Sequence, residues 1–214
     1  MNDAALMEAT RAAQAAGINV LQAYRLAPDE DEHVRRMIEW FELPRGAVAL
    51  DVGCGIGEVA RLVSRHRPDL WMLQLNLSGE QLKLCTSPRI RARAEALPIA
   101  DESVDAVLMT YVLGHVDAMW ALHEVARVLK PGGAFCLYDL TEPRNSVLET
   151  ALDYVVYPLA ELCGMLHEAG LKPTAIWACM SASHDHMRPV MDEAVFAETF
   201  GAAKPLLLKA TRRN

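Results

Sequence analysis

The sequence predicts an α/β fold in which helices cover both faces of a mostly parallel β-sheet. Short apolar runs alternate with amphipathic helical patterns between residues 47 and 140, which is typical of strand–helix–strand units. The first apolar run ends in a glycine-rich turn that opens into a helix. Two further strand-like runs near the C-terminus suit an antiparallel pair at the edge of the sheet.

Each predicted element follows from its local periodicity. We expect strands over Ala47–Val52, Trp71–Leu77, Val104–Thr110, Ala134–Leu140, Thr174–Met180 and Leu206–Ala210, and a short inner strand near Ile90–Ala92. We expect helices over Gly57–His66, Gly79–Cys85, Ala118–Leu129 and Leu159–Ala169, and a helical stretch near Asp192–Phe200. Asp117 is the expected N-cap of helix Ala118–Leu129, and Pro131–Gly133 is expected to end that helix. Gly170 is expected to end helix Leu159–Ala169.

The chain before the first strand is predicted to be helical. Ala4–Ala16 is rich in alanine, and Asp29–Phe41 carries an apolar stripe at helical spacing. The stripe consists of Val34, Met37, Ile38 and Phe41. We therefore divide the chain into an N-terminal helical cap, residues 1–46, and a main domain, residues 47–214.

Composition excludes several classes of partner. The chain has 214 residues and a net charge of −7, which disfavours a broad grip on nucleic acid phosphates. No apolar run approaches the ~18 residues of a membrane span, and no basic leader precedes an apolar stretch. Five scattered cysteines without CxxC spacing fit reduced thiols. We expect a cytoplasmic protein without nucleic acid or membrane span.

The glycine-rich turn is the most informative stretch of the sequence. Asp51 ends the first strand, and Gly53, Gly55 and Gly57 follow at alternate positions. A dinucleotide site would place its third glycine one residue later. A dehydrogenase-like nucleotide binder is therefore disfavoured, although the turn alone does not exclude it.

The string D-V-G-C-G-I-G closely resembles motif I of the class I methyltransferases, which bind S-adenosylmethionine. Three later segments resemble the same family in the correct order: Leu73–Leu82, Ala94–Asp105 and His123–Gly133. The resemblance implies a Rossmann-like, seven-stranded sheet with an antiparallel C-terminal edge strand. It also implies S-adenosylmethionine as the cofactor and S-adenosylhomocysteine as the product.

The resemblance assigns residues to the methionine end of the cofactor. Asp51 would lie near the aminoacyl group, and Thr110 would line the same pocket. Gly53 and Gly55 would let the backbone approach the methionine and ribose portions. Cys54, inside the loop, is either a small packing residue or a reactive thiol at a helix N-terminus, and we favour packing.

The ribose and adenine end departs from the family. Asn76 stands where the family usually has an acidic residue that grips the ribose, and losing that charge costs on the order of 1–2 kcal/mol. Leu77 would lean on the adenine and Ala94 would offer it a backbone N–H. Arg93 replaces an Asp that often accepts from the adenine amino group, and guanidinium has no acceptor. Glu95 is the alternative acceptor.

His115 and Tyr111 are the candidates for catalysis, because the loop after the fourth strand borders the transferred methyl in this fold. A neutral His115 could take a proton as the methyl arrives, or it could only cap the next helix. Tyr111 could line the substrate pocket, or it could be a core aromatic. Because methyl transfer is an in-line displacement, positioning alone could supply much of the rate.

Other features of the sequence give weaker indications of function. His184 and His186 resemble a metal pair, but no third ligand is evident, so we favour a polar loop and predict no metal site. Tyr24 and Trp40 belong to the cap, and we favour plain packing for both. The segment Thr141–Pro158 is short, which leaves an open pocket or one completed by the cap or by the second subunit of a homodimer.

The sequence therefore predicts an S-adenosylmethionine-dependent methyltransferase (class EC 2.1.1). It would methylate an O, N or C atom of a small molecule, with lipophilic compounds and natural products as candidates. The alternative is a non-catalytic member that binds the cofactor or serves as a partner subunit.

Overall fold

A computed structural model describes most of the chain from residue 30 onward. The described residues are 8, 30–86, 88–142, 144, 149–150, 153–178, 188, 192–194, 196–197 and 204–213. The predicted helix Ala4–Ala16, Tyr24, His184 and His186 lie outside them, and so does most of the predicted helix near 192–200.

Seven strands form one sheet in the order β3-β2-β1-β4-β5-β7-β6. They are β1 (Val48–Val52), β2 (Trp71–Asn76), β3 (Arg89–Arg91), β4 (Val104–Thr110), β5 (Leu129–Thr141), β6 (Leu171–Ala178) and β7 (Lys204–Arg212). The described helices are α1 (Glu30–Phe41), α2 (Glu58–His66), α3 (Gly79–Leu82), α4 (Ala118–Val128) and α5 (Leu159–Glu168). The predicted fold class is confirmed.

The direction in which the sheet grows reverses between β1 and β4. Strands β1, β2 and β3 are laid down outward from the centre, and β4 then pairs on the other side of β1. Both pairs are parallel, so the carboxyl ends of β1 and β4 lie side by side. In open α/β sheets, ligands bind in the crevice at such a switch point.

The C-terminal strands form the predicted antiparallel pair. β7 runs antiparallel to both of its neighbours, β5 and β6. Helix α5 ends at Glu168, and Gly170 follows the C-cap Ala169 with a φ of 84°, which suits glycine. β6 then begins at once with Leu171, three residues earlier than predicted.

Helices cover both faces of the sheet. Val34, Met37 and Phe41 of α1 are buried together with apolar residues of α2 on one face. On the other face, α4 and α5 cover a second apolar cluster. The described part of the cap therefore packs on the sheet, and the carbonyl of Trp40 accepts a hydrogen bond from Lys209 of β7.

Three local expectations are corrected. β3 is an edge strand and not an inner one, and Arg89 and Arg91 are exposed on it. Helix α4 ends at Val128, before Pro131, and β5 already contains Pro131–Gly133. A register shift opposite β4 and a positive φ at Gly132 allow the strand to pass through that turn. Helix α3 is one turn long and ends at Leu82.

Met37 tests whether α1 belongs to the core of the domain. We expect Met37→Ala to lower the free energy of unfolding by about 2–5 kcal/mol, because it leaves a cavity under a fully buried side chain. Urea unfolding measures the loss. Glu39→Ala, on the exposed side of the same helix, should change stability by less than about 0.5 kcal/mol. Equal losses would contradict the packing of α1 against the sheet.

Candidate active site

The glycine turn after β1 consists of backbone conformations that favour glycine. Gly53, Gly55 and Gly57 have φ values of 73°, 55° and 83°, which side chains rarely adopt. The N–H groups of Gly53 and Cys54 both donate to the carbonyl of Leu75, at 2.7 and 3.0 Å. The turn is thereby tied to β2.

Glycine is required at two places for space as well. A Cβ on Gly53 would overlap the methyl groups of Val112, in the turn after β4, and one on Gly57 would come within 2.8 Å of Gln74 Nε2. A Cβ on Gly55 would meet nothing within 4 Å. The loops after β1 and β4 therefore touch at Gly53, while the space at Gly55 is open.

Asp51 is a buried carboxylate at this crevice. It is 1% exposed, and neither of its oxygens has a hydrogen-bond partner among the residues that the structure describes. Burial raises the pKa of Asp51 to about 7, and the backbone N–H of Ala60, which lies nearby but outside hydrogen-bonding geometry, opposes the shift. Thr110 Oγ1, at the end of β4, is likewise buried and without a partner in the described ranges. Both predicted residues of the aminoacyl pocket thus carry unused polar atoms.

Asn76 is already part of a network behind the glycine turn. Its Nδ2 donates to the carbonyl of Gly55 at 3.2 Å and to Gln81 Oε1 at 2.8 Å. Its Oδ1 accepts the backbone N–H of Leu77 at 2.9 Å. Because an amide oxygen has two lone pairs, Oδ1 can still accept from one hydroxyl.

The other residues predicted at the adenine end lie on two loops: Leu77 directly follows β2, and Arg93, Ala94 and Glu95 follow β3. Leu77 is 40% exposed, and Ala94 is buried. Glu95 Oε1 accepts from Arg93 at 2.8 Å and from the backbone N–H of Asp117 at 3.4 Å. Arg93, which replaces the aspartate often found in the family, therefore forms an ion pair with Glu95.

Cys54 packs against a second thiol. Its Sγ lies 3.8 Å from Sγ of Cys85, and both residues are buried. The hydrogen bond to Cys85, together with burial, raises the pKa of the Cys54 thiol. A raised pKa opposes thiolate formation, so the packing interpretation is favoured over a reactive thiol.

Tyr111 and His115 occupy different environments in the turn after β4. Tyr111 is 8% exposed, and its ring packs on that of Tyr138 with centroids 4.8 Å apart, which favours the core interpretation. His115 is half-buried at the end of a single 3₁₀ turn, Leu113–His115. Its Nδ1 lies 3.0 Å from the carbonyl oxygen of Asp153. Burial lowers the pKa of His115, which favours the neutral imidazole.

Sequence reasoning missed a second buried acid. Asp139, in β5, is 4% exposed, and it accepts hydrogen bonds from Leu113 N, Leu140 N and the hydroxyl of Tyr154. Burial raises its pKa to about 7, although backbone N–H groups lower it. Like Asp51 in β1, Asp139 lies near the carboxyl end of its strand, and that placement is the signal that could have found it. The sequence around Tyr154 contains no pattern that indicates its contact with Asp139.

Two kinds of feature are absent from the described residues, a cluster of metal ligands and a membrane-spanning helix. Within them, no group of three or more His, Cys, Asp or Glu side chains is placed to hold a metal ion. The pair His184 and His186 lies outside them. None of the helices in the described part of the chain is long and apolar enough to cross a membrane.

Comparison with known proteins agrees with this geometry. A family model described as a methyltransferase domain matches residues 50–137, from β1 into β5. Residues 50–137, about two fifths of the chain, are thus similar to a methyltransferase domain of the class I type. Members of this family use S-adenosylmethionine. The match includes the glycine turn, Asp51, Thr110 and the turn that holds His115.

Two relatives illustrate the range of the family. The chain is 28% identical to a 2-phytyl-1,4-naphthoquinone methyltransferase of Thermosynechococcus vestitus over 162 residues, which is 71% of this chain and 67% of that protein. It is 36% identical to a phthiotriol/phenolphthiotriol dimycocerosates methyltransferase of Mycobacterium ulcerans over 129 residues, 55% of this chain and 46% of that protein. The matched region thus spans about half to two thirds of these relatives' lengths.

A solved structure shows the same fold. Geranyl diphosphate C-methyltransferase from Streptomyces coelicolor, in complex with S-adenosyl-L-homocysteine, superposes with a TM-score of 0.71. The superposition covers 86% of this chain and 79% of that one at 14% identity. The seven-stranded domain of this chain therefore has the same architecture.

Gly53 tests the contact between the two loops. Gly53→Ala combines a positive φ with overlap on Val112, so we expect a loss of about 2–4 kcal/mol in the free energy of unfolding. Gly170→Ala is the matched control, because its φ is 84° but its Cβ would meet open space. That control should lose only about 1 kcal/mol. Similar losses in urea unfolding would show that the loops do not touch at Gly53.

Proposed function

We propose that this protein is an S-adenosylmethionine-dependent methyltransferase that acts on a small, lipophilic acceptor. The observation that carries the proposal is the Asp51 carboxylate, which is buried at the switch point without a partner among the described residues. An unpaired buried carboxylate is costly unless a ligand supplies a cation or hydrogen-bond donors. The cofactor's aminoacyl ammonium group is such a cation.

The residues present fit the rest of the cofactor. Thr110 Oγ1 is free for a polar contact, and the open space at Gly55 permits a close approach to the backbone. Asn76 retains one lone pair for a ribose hydroxyl, and the exposed side chain of Leu77 offers an apolar surface to the adenine. For the adenine, we also propose the backbone N–H of Ala94 and the carboxylate of Glu95. Cys54 completes the turn by packing.

His115 is the proposed base. A carbonyl oxygen can only accept, so the contact with Asp153 O requires a proton on Nδ1 and leaves Nε2 as the ring's proton acceptor. Burial keeps the imidazole neutral near pH 7. The bound cofactor supplies a methyl group on a sulfonium. His115 would take the proton that the attacking O, N or C atom loses, and Tyr111 would support the turn from the core.

The acceptor class follows from the relatives. One is named for a naphthoquinone and another for a phthiotriol lipid, so we propose a hydrophobic acceptor with an acidic O–H, N–H or C–H group. We also propose that the chain divides after residue 46 into a helical cap and a main domain. We propose a homodimer as the assembly and the cytoplasm as the compartment. The last agrees with four described cysteines that are all free thiols.

Calorimetry tests the proposal directly. We expect S-adenosylmethionine and S-adenosylhomocysteine to bind the wild-type protein and NADH not to bind. Asp51→Asn should weaken binding roughly 10- to 100-fold, because it removes a charge-assisted hydrogen bond. Asp101→Asn changes an exposed carboxylate that pairs with Arg127 and should leave affinity unchanged.

The pH dependence supplies a second readout. Because the pKa of Asp51 is raised to about 7, the free protein must give up a proton to bind a cation below that pH. Affinity should rise with pH up to about 7 in the wild type and should lose this dependence in Asp51→Asn. Absence of heat with both sulfur compounds would refute the proposed function. Methyl transfer from labelled cofactor to a 1,4-naphthoquinol probe would then test the acceptor class.

A further inference from the structure

Asp139 joins three segments around the turn that carries His115. Its Oδ2 accepts the N–H of Leu113 at 3.2 Å, and its Oδ1 accepts the N–H of Leu140 at 2.8 Å and the hydroxyl of Tyr154. The acid thus links β5, the 3₁₀ turn and the chain before α5. These donors satisfy a carboxylate that would otherwise be expensive to bury.

Tyr154 in turn packs directly on the turn. Its ring meets the imidazole of His115 edge-on, with centroids 4.7 Å apart. A Cβ on Gly114 would come within 2.8 Å of the Tyr154 ring and 2.6 Å of the Val155 carbonyl oxygen, so only glycine permits this approach. The N–H of Val155 donates to the carbonyl of Gly114 at 2.8 Å.

The main chain at Asp153 adopts a strained conformation that directs its carbonyl oxygen toward the His115 imidazole. Asp153 has a φ of 51°, in the left-handed region that non-glycine residues seldom occupy. Its carbonyl oxygen is the partner of His115 Nδ1 at 3.0 Å. Strain of this kind persists where the surroundings determine it. Here the surroundings are the Val155–Gly114 hydrogen bond on one side and the Tyr154–Asp139 hydrogen bond on the other.

We propose that Asp139 and Tyr154 are positioning residues that hold His115 as the Nδ1–H tautomer, so that Nε2 takes the proton during methyl transfer. They act through the carbonyl of Asp153 and through the ring contact, and they do not touch the reacting atoms. This inference rests on the proposed function for its catalytic meaning. The tautomer itself is a property of the free protein and can be measured without any ligand.

The test is a long-range ¹H–¹⁵N spectrum of the free protein labelled with ¹⁵N-histidine, with His115→Gln used to assign the signals. We expect wild-type His115 to be almost wholly the Nδ1–H tautomer. Tyr154→Phe keeps the ring but removes the hydroxyl that binds Asp139, and we expect the tautomer ratio to fall several-fold. A merely structural role for the hydroxyl would lower stability and leave the ratio unchanged.

Tyr157→Phe is the matched control. It removes a hydroxyl from the same segment, and the Tyr157 carbonyl that accepts from Thr141 is retained. It should leave the His115 signal as in the wild type. If Tyr154→Phe does not fold, Asp139→Asn decides, because an amide has one acceptor oxygen where the carboxylate uses two.

The outcomes separate the two proposals. An unchanged tautomer in a folded Tyr154→Phe, or in Asp139→Asn when the first variant does not fold, overturns the positioning role. So does a wild-type His115 with its proton on Nε2. Failure of the protein to bind S-adenosylhomocysteine overturns the proposed function, while the tautomer measurement stands apart from it.

Discussion

The burial of one carboxylate, Asp51, organises the described structure. β1 lies inside the sheet. Near its carboxyl end it carries the Asp51 side chain, whose oxygens have no hydrogen-bond partner among the described residues. Burial without a partner destabilises the charged form, which is why the pKa of Asp51 is raised to about 7. The domain tolerates this destabilisation because the fold supplies stability elsewhere, in two apolar clusters on opposite faces of the sheet.

Hydrogen bonds hold the loops that follow β1 and β4 on either side of Asp51. The glycine turn is hydrogen-bonded to Leu75 on one side, and Asn76 holds the Gly55 carbonyl from behind. The turn after β4 is held by Asp139 and Tyr154. Both loops are therefore fixed before any ligand arrives, and such preorganisation lowers the cost of binding and of orienting reactants.

Local sequence patterns were sufficient for most of the scaffold. The predicted strand Val104–Thr110 agrees with the structure at both ends, and Asp117 caps α4 by accepting from Trp120 N. Periodicity failed where a longer-range effect decided. The three residues of β3 pair only at the edge of the sheet, and the turn at Pro131–Gly133 is absorbed into β5 by a register shift.

The sequence predicts positions for the candidate site but not the contacts among its residues. The glycine spacing and Asp51 indicated the crevice, because a motif of this kind is contiguous in sequence. The sequence predicts Asn76 at the ribose position, but its hydrogen bonds to Gly55 and Gln81 depend on how two loops fold together. The contacts between Cys54 and Cys85 and between Asp139 and Tyr154 join residues far apart in the chain. No local pattern encodes such pairs.

The most direct test of the account is the titration of the Asp51 carboxyl carbon by ¹³C NMR, with and without saturating S-adenosylhomocysteine. The account predicts a pKa of about 7 in the free protein and a clear fall when the cofactor's ammonium group neutralises the buried charge. A pKa near the ordinary aspartate value of about 3.9 in the free protein, or one that saturation leaves unchanged, would contradict it.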